Sequence, residues 1–206
     1  MLVAATSAAE AAVMTFGNVG PDPFLTSYTE DGITATAPVN QDLYLISPHL
    51  HLDNGGSPHA DRATFSMAGA FDAVSFLLEP NGFAYEMCDT NQCNSFSYPS
   101  FPNVLVQGYR GASLVASLLF DMGKGTTPYT VSLGTPFANL SSLTIGVVYP
   151  APNPLGQCVD SPCSHFSVDD VTLAPVPVPA TAGLAGLGLV LLGAAGWRRK
   201  KTHAEG

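Results

Sequence analysis

The sequence is poor in charge, and above all in positive charge. Only 11% of its 206 residues are charged, and seven Lys and Arg stand against sixteen Asp and Glu. Four of the seven basic residues form one run, Arg198–Lys201, which leaves Arg62, Arg110 and Lys124 for the rest of the chain. A protein that neutralises nucleic-acid phosphates needs clustered cations. The composition therefore argues against nucleic acid as a partner.

Motifs of the common catalytic machineries are also missing. The chain has no G-x-S-x-G, no H-E-x-x-H and no P-loop. A glycosidase needs two facing carboxylates about 5 to 10 Å apart, but scattered acidic residues supply such pairs in any chain and are no evidence. The cysteines are better explained by disulfides than by a thiol nucleophile. We therefore predict that the protein is not an enzyme.

Helical periodicity is almost absent between residues 16 and 173, apart from residues 113–120, which also fit a short helix. Short apolar or alternating runs, separated by Gly, Pro, Asn and Asp, occupy this region and are typical of strands. We predict a mainly β fold, an antiparallel jelly-roll-like β-sandwich ectodomain over residues 13–174. The predicted strands are residues 33–37, 43–47, 49–53, 63–67, 71–78, 104–109, 113–120, 129–133, 143–149 and 166–173.

The C-terminal segment has three parts in a fixed order. Residues 175–180 contain Val176, Pro177, Val178, Pro179 and Ala180, and proline keeps such a segment extended. Residues 181–197 are uncharged and long enough, at about 1.5 Å per helical residue, to approach the roughly 30 Å of a bilayer core. We predict one transmembrane helix there.

A membrane boundary is predicted directly after this helix. Trp197 suits the interface, and Arg198, Arg199, Lys200 and Lys201 would remain in the cytoplasm within a basic tail, residues 198–206. The ectodomain would then lie outside the cytoplasm.

This order of parts resembles the PEP-CTERM sorting signal, particularly its VPLPA-type variants, also described as the ice-binding protein C-terminal domain. The resemblance implies an exosortase as partner, a membrane-embedded enzyme similar to cysteine transpeptidases. That enzyme would cut within Val176–Ala180 and deliver the ectodomain to the cell surface or extracellular polysaccharide. Val178 stands where the name-giving pattern has Glu, a departure that concerns the identity of the processing enzyme.

The first residues resemble the end of a signal peptide. Residues 1–12 lack a basic start and a long apolar stretch, but Ala9–Ala11 supplies the small-residue pattern of a cleavage site. We expect the mature chain to begin near Ala12 or Val13. The alternative is a flexible Ala-rich arm.

Four cysteines occur as two pairs of equal spacing, Cys88-x4-Cys93 and Cys158-x4-Cys163. Four cysteines allow three connectivities, and we predict the two local disulfides because an exported location permits them. Loops this short contribute only about 2 kcal/mol each. The alternative, a four-thiolate zinc site, fits the spacing but not an oxidising compartment.

In the final predicted strand the apolar residues before and after Asp169-Asp170 would lie on opposite faces of a regular strand. A β-bulge there would absorb one residue and redirect a carboxylate. The strand resembles the last strand of jelly-roll carbohydrate-binding modules, which implies a structural Ca²⁺ site joining Asp169 and Asp170 to Glu30 and Asp31 near the N-terminus. The alternative is that the adjacent Asp residues cap a turn.

A second metal candidate alternates along one strand. His49, His51 and Asp53 share a face, and two imidazoles with a carboxylate suit a divalent metal. His59 is the nearest further ligand. The alternative is the polar face of an edge strand turned to water.

Aromatic residues surround the first cysteine pair, where they would either stack on sugars or bury themselves in a long loop. We favour packing. The aromatic residues are Phe83, Tyr85, Phe96, Tyr98 and Phe101.

The sequence as a whole predicts an exported surface or matrix protein with a non-catalytic structural or adhesive role. The alternatives are a carbohydrate-binding module with structural Ca²⁺ and, third, a secreted hydrolase.

Overall fold

A computed structural model describes residues 10–19, 24–46, 48–53, 59–80, 83–88, 93–98, 103–121, 127–148 and 165–177. These residues are mostly β-strand, with one short 3₁₀ helix, Thr135–Phe137. Glu10–Pro175 forms a compact unit. The strands are β1 (Ala12–Met14), β2 (Phe24–Leu25), β3 (Ser27–Glu30), β4 (Ile33–Thr36), β5 (Leu43–Ile46), β6 (His49–Asp53), β7 (Arg62–Met67), β8 (Phe71–Pro80), β9 (Phe83–Cys88), β10 (Cys93–Tyr98), β11 (Asn103–Arg110), β12 (Ser113–Asp121), β13 (Tyr129–Ser132), β14 (Ser142–Val148) and β15 (His165–Pro175).

These strands form two large sheets and a separate hairpin. The front sheet has the order β13-β8-β15-β6-β5-β2, with β1 also paired to β15, and the back sheet has the order β12-β11-β14-β7-β4-β3. The hairpin is β9-β10. Every pairing of these strands is antiparallel.

One apolar core joins the two large sheets. Leu50 and Leu52 of β6 in the front sheet, and Leu143 and Ile145 of β14 in the back sheet, are fully buried members of the same cluster. Strand side chains alternate between faces, so each sheet turns one apolar set inward. Burial of one such side chain stabilises the fold by about 1.5–3 kcal/mol. The fold is a mainly β antiparallel sandwich, as predicted, while the jelly-roll connectivity stays a prediction.

All ten predicted strands are confirmed within a few residues at their ends. Residues 113–120 form strand β12 rather than a helix, because β11 pairs along their length. The prediction missed β1, β2, β3, β9 and β10, and it was wrong to treat the aromatic segment around Cys88 and Cys93 as a loop. A signal for β3 was present: Asp31-Gly32, with φ of 49° and 79°, is the Asp-Gly turn that favours a tight hairpin.

Several predicted features lie outside the described residues. These are the signal remnant up to residue 9, the second cysteine pair, the helix over 181–197 and the basic tail. Within the part of the chain that is described, no helix has the length and apolar character needed to cross a bilayer. Val176 and Pro177 follow β15 without regular structure, and Pro177 is exposed.

Candidate functional site

The centre of the front sheet contains the β-bulge predicted in β15. The register of β15 against β8 shifts between Asp169 and Thr172, where β15 carries one additional residue, and shifts back between Thr172 and Leu173, where β8 carries one. Asp170 takes a left-handed conformation, φ 49°, and is exposed. Val168 and Val171 on either side are both fully buried. The bulge therefore lets both halves of the strand face the core and redirects one carboxylate.

Asp169 lies in a cluster of titratable groups from three strands. His49 Nδ1 on β6 is 3.7 Å from Asp169 Oδ2 and 3.2 Å from Glu79 Oε2 on β8. This nitrogen is buried and makes no hydrogen bond of good geometry within the described structure, so its attraction to the carboxylates is electrostatic when the imidazole is protonated. The other oxygen, Asp169 Oδ1, accepts a hydrogen bond of 2.8 Å from the backbone N–H of Asp170.

Burial raises the pKa of Asp169 from 3.8 to about 6. The charges of Asp170 and Glu79 also raise this pKa, whereas the Asp170 N–H and His49 oppose the shift. Because the folded protein binds this proton more tightly than the unfolded chain does, the group favours folding most at low pH. Its contribution to stability falls as the pH rises from 3.8 through about 6.

We expect Asp169→Asn to flatten this pH dependence. Asn cannot ionise, yet its side-chain oxygen can still accept the Asp170 N–H. The measurement is urea unfolding at several pH values between about 4 and 7. As the pH rises, the free energy of unfolding should fall less in the variant than in the wild type. Asp31→Asn, an exposed control, should keep the wild-type slope. An unchanged slope in Asp169→Asn would assign the pH dependence to other groups.

Glu30 has a structural role at the edge of the back sheet. Its Oε2 accepts hydrogen bonds of 2.8 Å from the backbone N–H groups of both Thr15 and Phe16. Its Oε1 is 3.2 Å from Thr15 Oγ1 and 3.3 Å from Asn18 Nδ2. Phe16 is buried with φ 53°, an uncommon conformation for a bulky side chain. The carboxylate thus holds a strained N-terminal segment in place.

The predicted calcium ligands make separate contacts in the structure, and the calcium site stays a prediction. Glu30 is engaged by the N-terminal segment, Asp31 lies in the exposed β3–β4 turn, and Asp169 faces His49 and Glu79. No three His, Cys, Asp or Glu side chains among the described residues are arranged to hold a metal ion. Glu30 belongs to the back sheet and Asp169 to the middle of the front sheet.

The residues of the second predicted metal site, His49, His51 and Asp53, also have different surroundings. β6 is an internal strand between β15 and β5, not the edge strand of the alternative reading, and His51 is buried. His49 points to the carboxylate pair, while the His51 ring meets the Tyr44 ring edge-on with centroids 5.8 Å apart. The side chain of Asp53 lies outside the described structure. Glu79 is the partner of His49 that sequence reasoning missed, since nothing local connects β8 with β6.

An aromatic cluster at the other end of the same sheet was also missed. Phe24 and Tyr44 are cross-strand partners, and their rings stack 4.8 Å apart at an interplanar angle of 9°. The His59 ring lies 5.1 Å from Tyr44 and 5.5 Å from Phe24. The sequence gives no sign of this cluster, because its members come from separate segments.

A half-open cavity of about 340 Å³ adjoins the bulge. Its polar lining residues are Ser75, Thr130, Thr172 and Asp170, none of them basic, and the Thr172 hydroxyl donates a hydrogen bond of 3.2 Å to the backbone oxygen of Asp170. Such a surface can donate and accept hydrogen bonds but cannot neutralise an anion. The lining residues are Val13, Ser75, Phe76, Leu77, Thr130, Asp170 and Thr172.

The first cysteine pair lies on the β9-β10 hairpin. Cys88 and Cys93 are directly opposite in the register, and Cα atoms of antiparallel partners are about 4.5–5.5 Å apart, within the range that a disulfide needs. The backbone is therefore compatible with the predicted local bridge, which stays a prediction. The same register pairs Tyr85 with Phe96, and Phe83 with Tyr98.

Comparison with known proteins gives one match to a described family. Residues 175–200 match the family model for the PEP-CTERM protein-sorting motif. No protein with a curated description matches the chain. Among solved structures, the chain is similar to the family 32 CBM from C. perfringens NanJ in complex with galactose, at 11% identity and a TM-score of 0.36, over 78% of this chain and all of that one. The C-terminal segment of this protein therefore carries a PEP-CTERM protein-sorting motif, the exosortase-type signal of an exported protein.

Proposed function

We propose that this protein is a non-catalytic structural or adhesive component of the cell surface or exopolysaccharide matrix. A transmembrane helix over residues 181–197 would first retain it. An exosortase-type enzyme would then cut within Val176–Ala180 and transfer the ectodomain outward. The observation that carries this proposal is the sorting-motif match over residues 175–200.

The position of the motif relative to the fold supports this order of events. β15 ends at Pro175, and the match begins at the same residue. The last fully buried residue of the strand is Leu173, while Pro177 is exposed. A cut after Val176 would remove no core residue from the sandwich, so the released ectodomain would keep its stability.

The intact mass of the natively produced protein tests the proposal. We would measure it separately in the membrane and extracellular polysaccharide fractions. A C-terminus within Val176–Ala180 in the polysaccharide fraction is the expected result. A chain that keeps Trp197 and Lys201 in every fraction would contradict processing. Reduction should add about four daltons if both predicted disulfides are present, because each bridge takes up two hydrogens.

The cavity beside the bulge favours a second candidate function, recognition of a sugar unit in the polysaccharide. Three residues with hydroxyl groups, Ser75, Thr130 and Thr172, and one with a carboxylate, Asp170, line this space. Neighbouring sugar hydroxyls can donate to the carboxylate and accept from the protein hydroxyls. The negative charge disfavours acidic sugars, so the expected ligand is a neutral or amino sugar.

Asp170→Asn should weaken such binding by about tenfold, the effect of losing roughly 1.4 kcal/mol from a hydrogen bond to a charged group. The measurement is co-sedimentation of the full chain with exopolysaccharide from the producing cells. Asp31→Asn is the matched control, because Asp31 is also exposed with φ 49° but lies in the β3–β4 turn. Equal binding by both variants and the wild type would remove this candidate.

A further inference from the structure

The connections between strands differ in length at the two ends of the sandwich. We define the short-turn end by the tight turns β3–β4, β7–β8 and β11–β12, each of which contains a glycine of positive φ. The register of β7 with β4 and β14, and of β14 with β11, places these three turns at the same end. The three turns are residues 31–32, 68–70 and 111–112, whereas strands are joined at the opposite end by residues 54–61, 81–102, 122–128 and 149–164.

The sandwich is connected to the sorting motif at the short-turn end. The last residue of β15, Pro175, pairs with Phe71, which directly follows the β7–β8 turn. β1 begins at the same end, because Ala12 pairs with Leu173 near the end of β15. Both segments that we expect to be processed at the membrane, the predicted signal remnant and the sorting motif, therefore join the sandwich at this end.

Little chain is available between the sandwich and the cut. The motif match begins at Pro175, where β15 ends, and the proposed cut lies within Val176–Ala180. Five fully extended residues span at most about 18 Å. An enzyme that holds two or three residues on the N-terminal side of the cut uses about 7–11 Å of this length. The short-turn end must then lie within about 10 Å of the enzyme during cutting.

Any additional length would have to come from the end of β15. Leu173, and Phe71 on the neighbouring strand, are fully buried. Phe71 is also held on its other side, where its N–H and carbonyl exchange hydrogen bonds of 2.9 and 2.7 Å with Leu140. Releasing β15 back past Leu173 would expose apolar core surface to water, which is unfavourable. The folded end of the sandwich therefore limits how far the motif can reach.

We propose that the short-turn end is the surface through which the ectodomain contacts the membrane-embedded processing enzyme while that enzyme cuts. The inference rests on the proposed function and adds the surface at which the enzyme meets the folded domain. The longer connections at the opposite end then face away from the membrane, where they do not obstruct the approach of the enzyme.

The charges at this end favour a protein surface over lipid as the contact. Arg110 is its basic residue, and the guanidinium donates hydrogen bonds of 3.0 Å to the backbone oxygens of Ala138 and Asn139. Exposed acidic residues outnumber it, so the end is negative, although one oxygen of Asp72 accepts the Asn139 N–H at 2.7 Å. Anionic lipid headgroups repel such a surface, whereas basic side chains of a protein complement it. The acidic residues are Glu10, Asp31 and Asp72.

Steric obstruction of the short-turn end tests this inference in the producing cells. A small folded helical hairpin is inserted between Ala68 and Gly69, both exposed, because exposed loop tips tolerate insertions. The ratio of cut to uncut full chain, measured by intact mass, should fall at least about fivefold, as a rise of roughly 1 kcal/mol in the barrier would produce. The same insertion between Val39 and Asn40, in a turn at the opposite end where Val39 is 89% exposed, should leave the ratio unchanged.

A longer spacer separates obstruction from misfolding. A flexible Gly-Ser segment of about ten residues between Pro175 and Val176 adds roughly 17 Å of reach and should restore cutting of the Ala68–Gly69 variant. The same hairpin between Gly111 and Ala112 provides a second obstructed variant. Normal cutting of both obstructed variants, or no recovery with the spacer at a wild-type unfolding midpoint, would overturn the contact and leave the proposed function intact. A wild-type chain that is never cut would overturn both.

A single added charge tests the chemistry of the partner. Ala68→Lys places a cation at the short-turn end, and Val39→Lys adds the same charge at the opposite end. A basic enzyme surface would be repelled by the new lysine, so Ala68→Lys should lower the initial rate of cutting at least about twofold, whereas Val39→Lys should not change it. A higher rate in Ala68→Lys would indicate contact with anionic lipid and, like an unchanged rate, would overturn the assignment to a basic protein surface.

Discussion

Replacing both Pro177 and Pro179 by Ala is expected to leave the C-terminal segment uncut. Proline disfavours helix by about 3 kcal/mol relative to Ala at each position. The double substitution would therefore let the helix predicted over residues 181–197 extend back through the motif. An enzyme that cuts an extended chain would lose its substrate. We expect the processed fraction to fall by at least about tenfold, as a rise of about 1.4 kcal/mol in the barrier would produce.

The measurement is the ratio of cut to uncut chain by intact mass in the membrane fraction. Pro38→Ala is a suitable control, because Pro38 lies before the turn at Val39 and Asn40 in the ectodomain, far along the chain from the motif. It should be processed normally. Normal maturation of the double variant would show that the prolines are not what the processing enzyme reads.

Glu30→Ala is expected to be the most destabilising single change among the charged residues discussed. The substitution leaves the N–H groups of Thr15 and Phe16 without their acceptor. Hydrogen bonds to charged groups contribute about 1.5–3 kcal/mol each, and partial exposure reduces the total. We expect a loss of about 2–4 kcal/mol in the free energy of unfolding. Glu30→Gln should lose about half as much, since one acceptor oxygen remains.

Urea unfolding followed by far-UV circular dichroism measures this loss, because the single tryptophan, Trp197, is outside the sandwich sequence. Asp31→Asn is the neighbouring control and should stay within about 0.5 kcal/mol of the wild type, as exposed substitutions usually do. A chelator should not change the wild-type midpoint if Glu30 acts only through hydrogen bonds. A calcium-dependent midpoint that disappears in Glu30→Ala would instead support the predicted ligand role.

The bulge in β15 shows how far local pattern can reach. The apolar residues on either side of Asp169-Asp170 are out of phase for a regular strand, and a strand that must bury both sets needs a local irregularity between them. The pattern therefore located the bulge. It could not indicate that Asp169 would meet Glu79 and His49, which are far away in the sequence.

The β9-β10 hairpin shows where the same reasoning failed. Its segments do alternate, with Phe83, Tyr85 and Met87 at every second position of β9 and Phe96 and Tyr98 at every second position of β10, but turn-forming residues surround them. Pairing between the two segments gives each strand a hydrogen-bonded partner. Alternation and aromatic content were therefore strand signals that the loop interpretation left unused, and pairing supplies the backbone partners.

The sequence by itself determined the mainly β class, ten of the strands and the C-terminal sorting motif. Each of these depends on short-range order: alternation with a period of two, or the succession of prolines, an uncharged stretch and basic residues. Tertiary structure alone decided that Glu30 holds Thr15 and Phe16, that Phe24 stacks on Tyr44, and that β12 ends the back sheet. These contacts follow from which strands become neighbours, and strand order is set by packing of the whole core, about which the local period of any one strand contains no information.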